Sequence, residues 1–286
     1  MAAAAMRLVC PSLRILRTRE RERLNAADIV FDVGRIYDPA CYRFDHHQPE
    51  YAEKRENGIP FSSFGLVWRE LGSALCGSES ASSRVDRLLV QGVDALDCGI
   101  NVSKEIPLVN VLSISSAIGS FNPGWREDCT PEAQGDAFEQ AVTWAKSLLR
   151  NLIREASGQE AARAVVQQGL LSEDGCLLIL DRDVPWKESV LDTPGYGHVL
   201  YVISPDTQAK WHVHTVPDCA GSFNSRKSLP AAWAGLEGED LDGATGMKGC
   251  IFCHRGRFVA GHATREGAVA MARLALSDDL HEINVS

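Results

Sequence analysis

The run Arg43-Phe44-Asp45-His46-His47 sets a carboxylate and two imidazoles at the end of a predicted strand. Imidazole and carboxylate together suit Mn or Zn, and carboxylate alone suits Mg. A tripeptide of this kind is a weak signal by itself, but two acidic neighbours strengthen it. Asp32-Val33-Gly34 follows the apolar run Ile29-Val30-Phe31, which reads as a strand ending in a tight loop. Asp94-Ala95-Leu96-Asp97-Cys98-Gly99 ends a predicted helix. In an open α/β sheet, ligands collect at the carboxyl ends of the strands. Three clusters converging there would build a two-metal centre, whose ions generate hydroxide and neutralise a phosphoryl group. The blander reading of Asp94 is an ordinary helix-end carboxylate.

The elements that must position these groups are legible as hydrophobic patterns. Phe61–Leu71 and Ser83–Ala95 have helical spacing, the second with Val85, Leu88, Leu89 and Val93 on one side. Ala2–Val9 reads as a short helix and Leu13–Arg17 as a strand. Strands alternating with helices predict a parallel α/β sheet. Thr130-Pro131-Glu132 is a helix start, with a capping hydroxyl, Pro at the first helical position and then an acid. The apolar stripe Phe138, Ala141, Val142, Ala145, Leu148, Leu149, Leu152 and Ile153 carries that helix onward. After Gly158, a helical segment over Ala161–Gln168 leads to strands at Cys176–Leu180, His198–Ile203 and Trp211–Val216. A hairpin of Cys250–Cys253 with Arg257–Val259 and a helix over Glu266–Leu276 close the chain. The expected fold class is α/β: a parallel-sheet domain over 1–155, then a smaller α+β domain over 156–286.

Composition narrows the classes of function. The chain has 286 residues, 45% hydrophobic and 23% charged, enough for buried cores and too apolar for disorder. Its longest apolar stretches are strand-sized, below the roughly 18–20 residues of a membrane-spanning helix. A net charge of −9 argues against sequence-blind attraction to polyanions. An acidic chain that handles phosphates needs metal ions or a few focused Arg and His residues. Nine scattered cysteines, an odd number, read as reduced intracellular thiols. The arginines at 7, 14, 17 and 19, with no acid before Glu20, superficially resemble a mitochondrial presequence, but the segment runs into structured sequence without a linker.

With these residues in view, the chain resembles the DHH phosphoesterase superfamily, and most closely its Myg (melanocyte-proliferating-gene-1) family. The resembling pieces are Asp32-Val33-Gly34, Tyr37-Asp38-Pro39, Phe44-Asp45-His46-His47-Gln48, Ser62-Ser63-Phe64-Gly65-Leu66-Val67, Val93–Gly99, Phe121-Asn122-Pro123 and Gly261–Ala268. They occur in order over nearly the whole chain. The resemblance implies a metal-dependent phosphoester hydrolase, 3′–5′ RNA exonuclease-like, with Mn2+ or Mg2+ and an RNA or nucleotide-phosphate substrate. It makes Asp32 a metal-bridging carboxylate, His46 a ligand, His47 a contact to phosphate or metal, and Asp45 the group that orients the imidazoles or joins them as ligand. Asp97 becomes the last acidic ligand, with Asp94 in reserve. The second domain is then a DHH-associated domain. Its loop at Gly261 and His262, with Arg265 at a helix start and Arg226 upstream, grips the anion. The compartment implied is the cytoplasm, or the mitochondrion in a eukaryote, and a homo-oligomer fits the family.

The chain departs from the family pattern in one serious way. No His-x-Gly-x-Phe-His-Ala-Asp element, which supplies further metal ligands on a first strand, precedes Ala2. Either the natural chain is longer at its start, the favoured reading, or the two-metal centre is incomplete and a sheet edge is unpaired. A catalytically impaired nucleotide- or RNA-binding protein is the main alternative, and a small-molecule phosphatase or pyrophosphatase the third. Milder departures are Cys98 in place of Asn and Ala260 in place of Gly. Two further motifs are weighed and set aside. Cys250-Ile251-Phe252-Cys253-His254 matches a haem attachment pattern but reads as an inward strand, and His212-Val213-His214 sets two imidazoles on one strand face.

Overall fold

The computed structural model describes residues 1–101 and 111–278. The chain divides into two compact units, Met1–Glu160 and Ala161–Ser286. The first unit opens with α1 (Ala2–Val9), which buries Met6 and Ala2 to Ala5, and the small alanines let its backbone lie close to a neighbouring helix. After α2 (Arg21–Ala26) come three short strands, β1 (Val30–Phe31), β2 (Tyr37–Asp38) and β3 (Arg43–Phe44). Their order is β1-β3-β2, with β1 parallel to β3 and β2 antiparallel to it.

Helix α3 (Ser63–Cys76) starts where the Ser62 hydroxyl accepts from the N–H of Phe64, and ends at Gly77, whose φ of 80° closes the helix in the left-handed region. Gly72 lets α3 touch the following helix, because a Cβ there would lie 2.3 Å from Ser82 Oγ. That helix, α4 (Glu79–Val85), continues through a wider π-type turn at Asp86–Val90 into α5 (Gln91–Asp97), covering the predicted 83–95 helix and extending it at both ends. After α6 (Ile114–Gly119), α7 (Pro131–Gln167) begins as expected, with the Thr130 hydroxyl accepting from the N–H of Ala133. It runs through Gly158 without a break. One glycine costs about 1 kcal/mol in a helix, less than is recovered by burying Ala156, Ala162 and Val166.

The expected parallel sheet of the first unit needs correction. Among the described residues only one parallel pair forms, because the chain between β1 and β3 turns back on itself as β2. Leu13–Arg17 pairs with no strand among the described residues. Among the described residues no strand pairs with the other edge of β1, which is flanked by a cavity of about 850 Å³ whose walls include Leu13, Arg14, Arg17, Phe31, Asp32 and Phe138.

The second unit carries β4 (Leu170–Leu171), β5 (Leu177–Ile179), α8 (Lys187–Asp192), β6 (Tyr201–Pro205), β7 (Trp211–Thr215), α9 (Gly238–Thr245), β8 (Cys250–Cys253), β9 (Val259–His262) and α10 (Arg265–Ser277). The sheet order is β4-β5-β6-β7-β9-β8, with β5 and β6 its parallel pair. Ile203, Val213 and Ala260 pack on one face against Met271, Ala272 and Ala275 of α10. On the other face Leu178, Leu180 and Val202 lie under Trp186, Val190 and Val199. The protein is thus mixed α/β, with a mixed sheet in each unit.

His214 sits on β7 against Trp186, with ring centroids 5.9 Å apart. Burial, helped by His212 and Lys187, pushes its imidazole down to about 4. The unfolded chain takes up this proton near the ordinary histidine value, and the folded chain does not until much lower pH. Stability from this group is complete above about pH 6.5 and is lost as pH falls to about 4, by as much as about 3 kcal/mol. Thermal melts across that window should show a falling midpoint in the wild type and a shallower fall in His214→Phe. Parallel profiles would mean that His214 does not titrate differently on unfolding.

Candidate metal centre

The residues after β1 and after β3 meet, because the two strands are parallel neighbours and end together. Asp32 follows β1 and adopts a left-handed φ of 64°, followed by Gly34 at 97° and Arg35 at 56°. Asp tolerates this region better than most residues, and strained backbone of this kind concentrates at functional sites. Asp45, His46 and His47 follow β3. One ligand atom from each of Asp32, His46 and His47 falls within 4.8 Å of the others, the one such group of three among the described residues. Asp97, at the end of α5, brings Oδ2 to 3.6 Å from His46 Nε2.

Asp45 is 1% exposed and has both oxygens occupied. Oδ2 accepts from the N–H of Arg35 at 2.6 Å. Oδ1 accepts from the N–H groups of His46 and His47 and meets His47 Nδ1 at 2.6 Å. Burial opposes ionisation of this carboxyl, but the bonds from His47, Arg35 and His46 outweigh it and hold Asp45 below the usual range. Its geometry is that of an orienting group: it fixes the Nδ1 proton of His47 and leaves Nε2 of this exposed ring outward. Asp32 shifts the other way. Desolvation and the Asp97 charge raise it, against His46 and His47, although much of the residue is open to solvent.

His46 has a partner that sequence reasoning missed. Its Nδ1 lies 3.2 Å from Ser63 Oγ, at the first turn of α3, and its Nε2 is on the Asp97 side. In the sequence Ser63 stands only within the family-like run Ser62–Val67, with no role attached to it. Arg55 was missed entirely. Its guanidinium grips Asp86 through Nη2 at 2.6 Å and Nε at 3.1 Å, stacks on Phe61, and sets Nη1 2.8 Å from Asp94 Oδ2 without hydrogen-bond alignment.

Asp94 is placed elsewhere than the expected reserve ligand. It is fully buried, accepting from Ser62 Oγ at 2.6 Å and from the N–H of Gly65 at 3.0 Å. Burial pushes its carboxyl up to about 6 in spite of the Ser62 hydrogen bond and the nearby Arg55 charge. Its Oδ1 is taken up by the amino end of α3, and Asp94 is outside the group formed by Asp32, His46 and His47, so Asp94 anchors a helix.

In the second unit, two expected anion-binding groups are engaged internally. His262 is 4% exposed; its Nε2 donates to the carbonyl of Lys248 at 3.0 Å, and its Nδ1 accepts from the N–H of Thr264. Gly267 leaves room for this ring, since a Cβ there would lie 1.8 Å from His262 Cε1. Arg226 donates through Nη1 to the carbonyls of Tyr196, Gly197 and Val199, clasping a loop. Gly261 lies in β9 between Phe252 and His212. Arg265 is the more available cation: its Nε makes no hydrogen bond, its guanidinium lies beside Trp211, and Asp181 is 3.7 Å away. The Cys250–His254 run is strand and turn, with both cysteines buried as free thiols.

A family model described as an uncharacterised protein family (UPF0160), MYG1_exonuc, matches residues 1–276. The chain belongs to the MYG1 family. The MYG1 exonuclease of Homo sapiens is 33% identical over 97% of this chain and 82% of its own length. The MYG1 protein of Caenorhabditis elegans is 34% identical over 92% of the chain and 86% of its own length, and that of Saccharomyces cerevisiae 29% identical over 92% and 87%. No solved structure matches. All the site residues described above lie within the span matched by the MYG1 family model.

Gly65 tests how rigidly α3 presents Ser63. A Cβ at this position would sit 1.9 Å from Asp94 Oδ2. Gly65→Ala should destabilise the protein by about 1–3 kcal/mol, the usual penalty for overpacking a tight interior. Chemical denaturation measures it, and an unchanged midpoint would show that the α3–α5 contact yields easily.

Proposed function

We propose that this protein is a metal-dependent phosphoester hydrolase that shortens RNA from its 3′ end, with Mn or Mg held by Asp32, His46 and His47. The observation that carries this reading is the convergence of one carboxylate and two imidazoles at the ends of two adjacent parallel strands. Imidazole together with carboxylate suits Mn or Zn, and the family resemblance favours Mn. The exonuclease names of the Homo sapiens and Bos taurus relatives support the reaction class. Four arginines lining the cavity beside Asp32 (Arg14, Arg17, Arg19 and Arg23) favour an anionic substrate.

A divalent ion at such a site acidifies its bound water and draws charge from the phosphoryl group. The protein's own contribution is orientation. Asp45 holds the His47 ring in one tautomer, and Ser63 steadies His46. Asp97 adds a carboxylate beside His46. Arg265 in the second unit has a planar fork suited to a phosphate. In this reading the two units are a DHH-like catalytic domain and a DHH-associated substrate domain.

One observation favours a second reading, a nucleotide- or RNA-binding protein with impaired hydrolysis. The tight cluster among the described residues offers three ligands, and Asp97 only beside it, whereas a pair of ions needs more.

Titration calorimetry with Mn should give one ion per chain, and Asp45→Asn should weaken it by about 10–100-fold, as loss of an orienting partner does. With 3′-labelled RNA and Mn, the wild type should release label and Asp32→Asn should not. Label release by Asp32→Asn would place the chemistry elsewhere. Mn binding without label release in the wild type would favour the second reading.

A further inference from the structure

The sheet of the second unit is covered unequally. The α10 face is closed by apolar packing across β6, β7 and β9. On the opposite face, the layer of Leu178, Leu180 and Val202 beneath Trp186 and Val190 ends at β6. Strand register carries that face onward through His212 and His214 of β7, Val259 and Gly261 of β9, and Phe252 of β8. His212, His214, Val259 and Phe252 all keep partial exposure, and the His212 side chain is 23% exposed.

The side chains on this open half are rings in a row. Trp186 meets His214 at 5.9 Å, His214 meets His212 at 5.7 Å, and His212 meets Phe252 at 5.8 Å, centroid to centroid. Gly261 makes the row continuous. A Cβ there would lie 2.9 Å from Phe252 Cε1 and 3.4 Å from His212 Cδ2, so any side chain would wedge the two rings apart. His212 and Phe252 meet at 84°, which presents one ring face and one ring edge.

We propose that this row, with Phe252 and His212 as its accessible members, stacks a nucleobase of a single-stranded nucleic acid. This rests on the nuclease reading above. An apolar peptide would seek aliphatic side chains, and the open half has one, Val259. A flat heteroaromatic ring with hydrogen-bonding edges matches phenyl and imidazole surfaces, and sheet faces bearing aromatics bind single-stranded RNA in this way. Burial keeps His214 neutral near pH 7, so its ring offers π surface in place of a cation. Two charges flank the row. Lys187 Nζ, 6.0 Å from the Trp186 ring, is complementary to a phosphate attached to the base, and Asp206 lies 3.7 Å from His212 Nε2.

The test uses the metal-free full chain and nitrogen-resolved NMR of the His212 and His214 rings. Three probes are titrated: an adenosine trinucleotide, the same trimer without bases, and AMP. The trinucleotide should shift both imidazoles at concentrations about tenfold below either other probe, the scale of one base–aromatic stack. Phe252→Leu, which keeps apolar bulk and removes the flat face, should abolish the difference, and Phe252→Tyr should retain it. Equal responses to trimers with and without bases would overturn the proposal in favour of backbone capture. AMP binding as tightly as the trinucleotide would overturn it in favour of a free nucleotide. If Phe252→Leu fails to fold, the wild-type comparison decides alone. RNA shortening without a base-dependent response refutes the stack and spares the nuclease reading; a base-dependent response without shortening does the reverse.

Discussion

Much of the first unit depends on one buried carboxylate. Asp94 has no solvent, so its negative charge must be answered from within: by the Ser62 hydroxyl, by the N–H of Gly65, and by Arg55. A buried ion pair gains little net stability, but removing one partner is severe, because the other is left uncompensated. The arrangement therefore fixes geometry more than it adds stability. It ties the amino end of α3 to α5, with Gly65 providing the clearance. Ser63, one residue along, is thereby held opposite His46, and Asp97, one turn along α5, is held beside the same imidazole. The position of the imidazole thus follows from a contact that touches no ligand.

The same division of labour recurs in the second unit. His262 is fully committed to Lys248 and to the start of α10, and Arg226 to a loop. Both are polar groups that satisfy buried backbone, a demand that precedes any role in binding. The groups left available, Arg265 and the rings beside Gly261, are their neighbours in sequence or across the sheet.

Much of this was legible in the sequence. Helix α1, the start of α7, strands β5, β7 and β8 and helix α10 all follow from period and capping chemistry, which are local. The strand expected over Arg257–Val259 instead forms as β9 over Val259–His262, taking in the residues expected as a loop. The proximity of Asp32 to His46 and His47 was legible too, because residues ending adjacent parallel strands must meet. What was not legible is non-local or concerns direction. Asp94 and Asp97 lie three residues apart on one helix, and only the packing of α5 against α3 decides which is buried. His262 beside Gly261 has the composition of a binding loop; its inward orientation depends on the space left by Gly267. The strand expected over Leu13–Arg17 has strand-like composition, but a ladder needs a partner that periodicity cannot supply. The helical segments expected before and after Gly158 form one helix, because packing on both sides of a glycine overrides its local preference.

That lone extended segment bears on how copies of the chain meet one another. An open strand edge invites a second chain to add to it. Here the edge at β1 is two residues long, and the walls of the adjoining cavity carry Arg14, Arg17, Arg19 and Arg23. Two copies approaching edge to edge would bring these guanidinium groups together, and like charges repel at that range. Asp28, Asp32 and Glu139 of the same wall and the Arg23–Glu20 ion pair offset part of that repulsion, so charge alone leaves such an approach only weakly disfavoured.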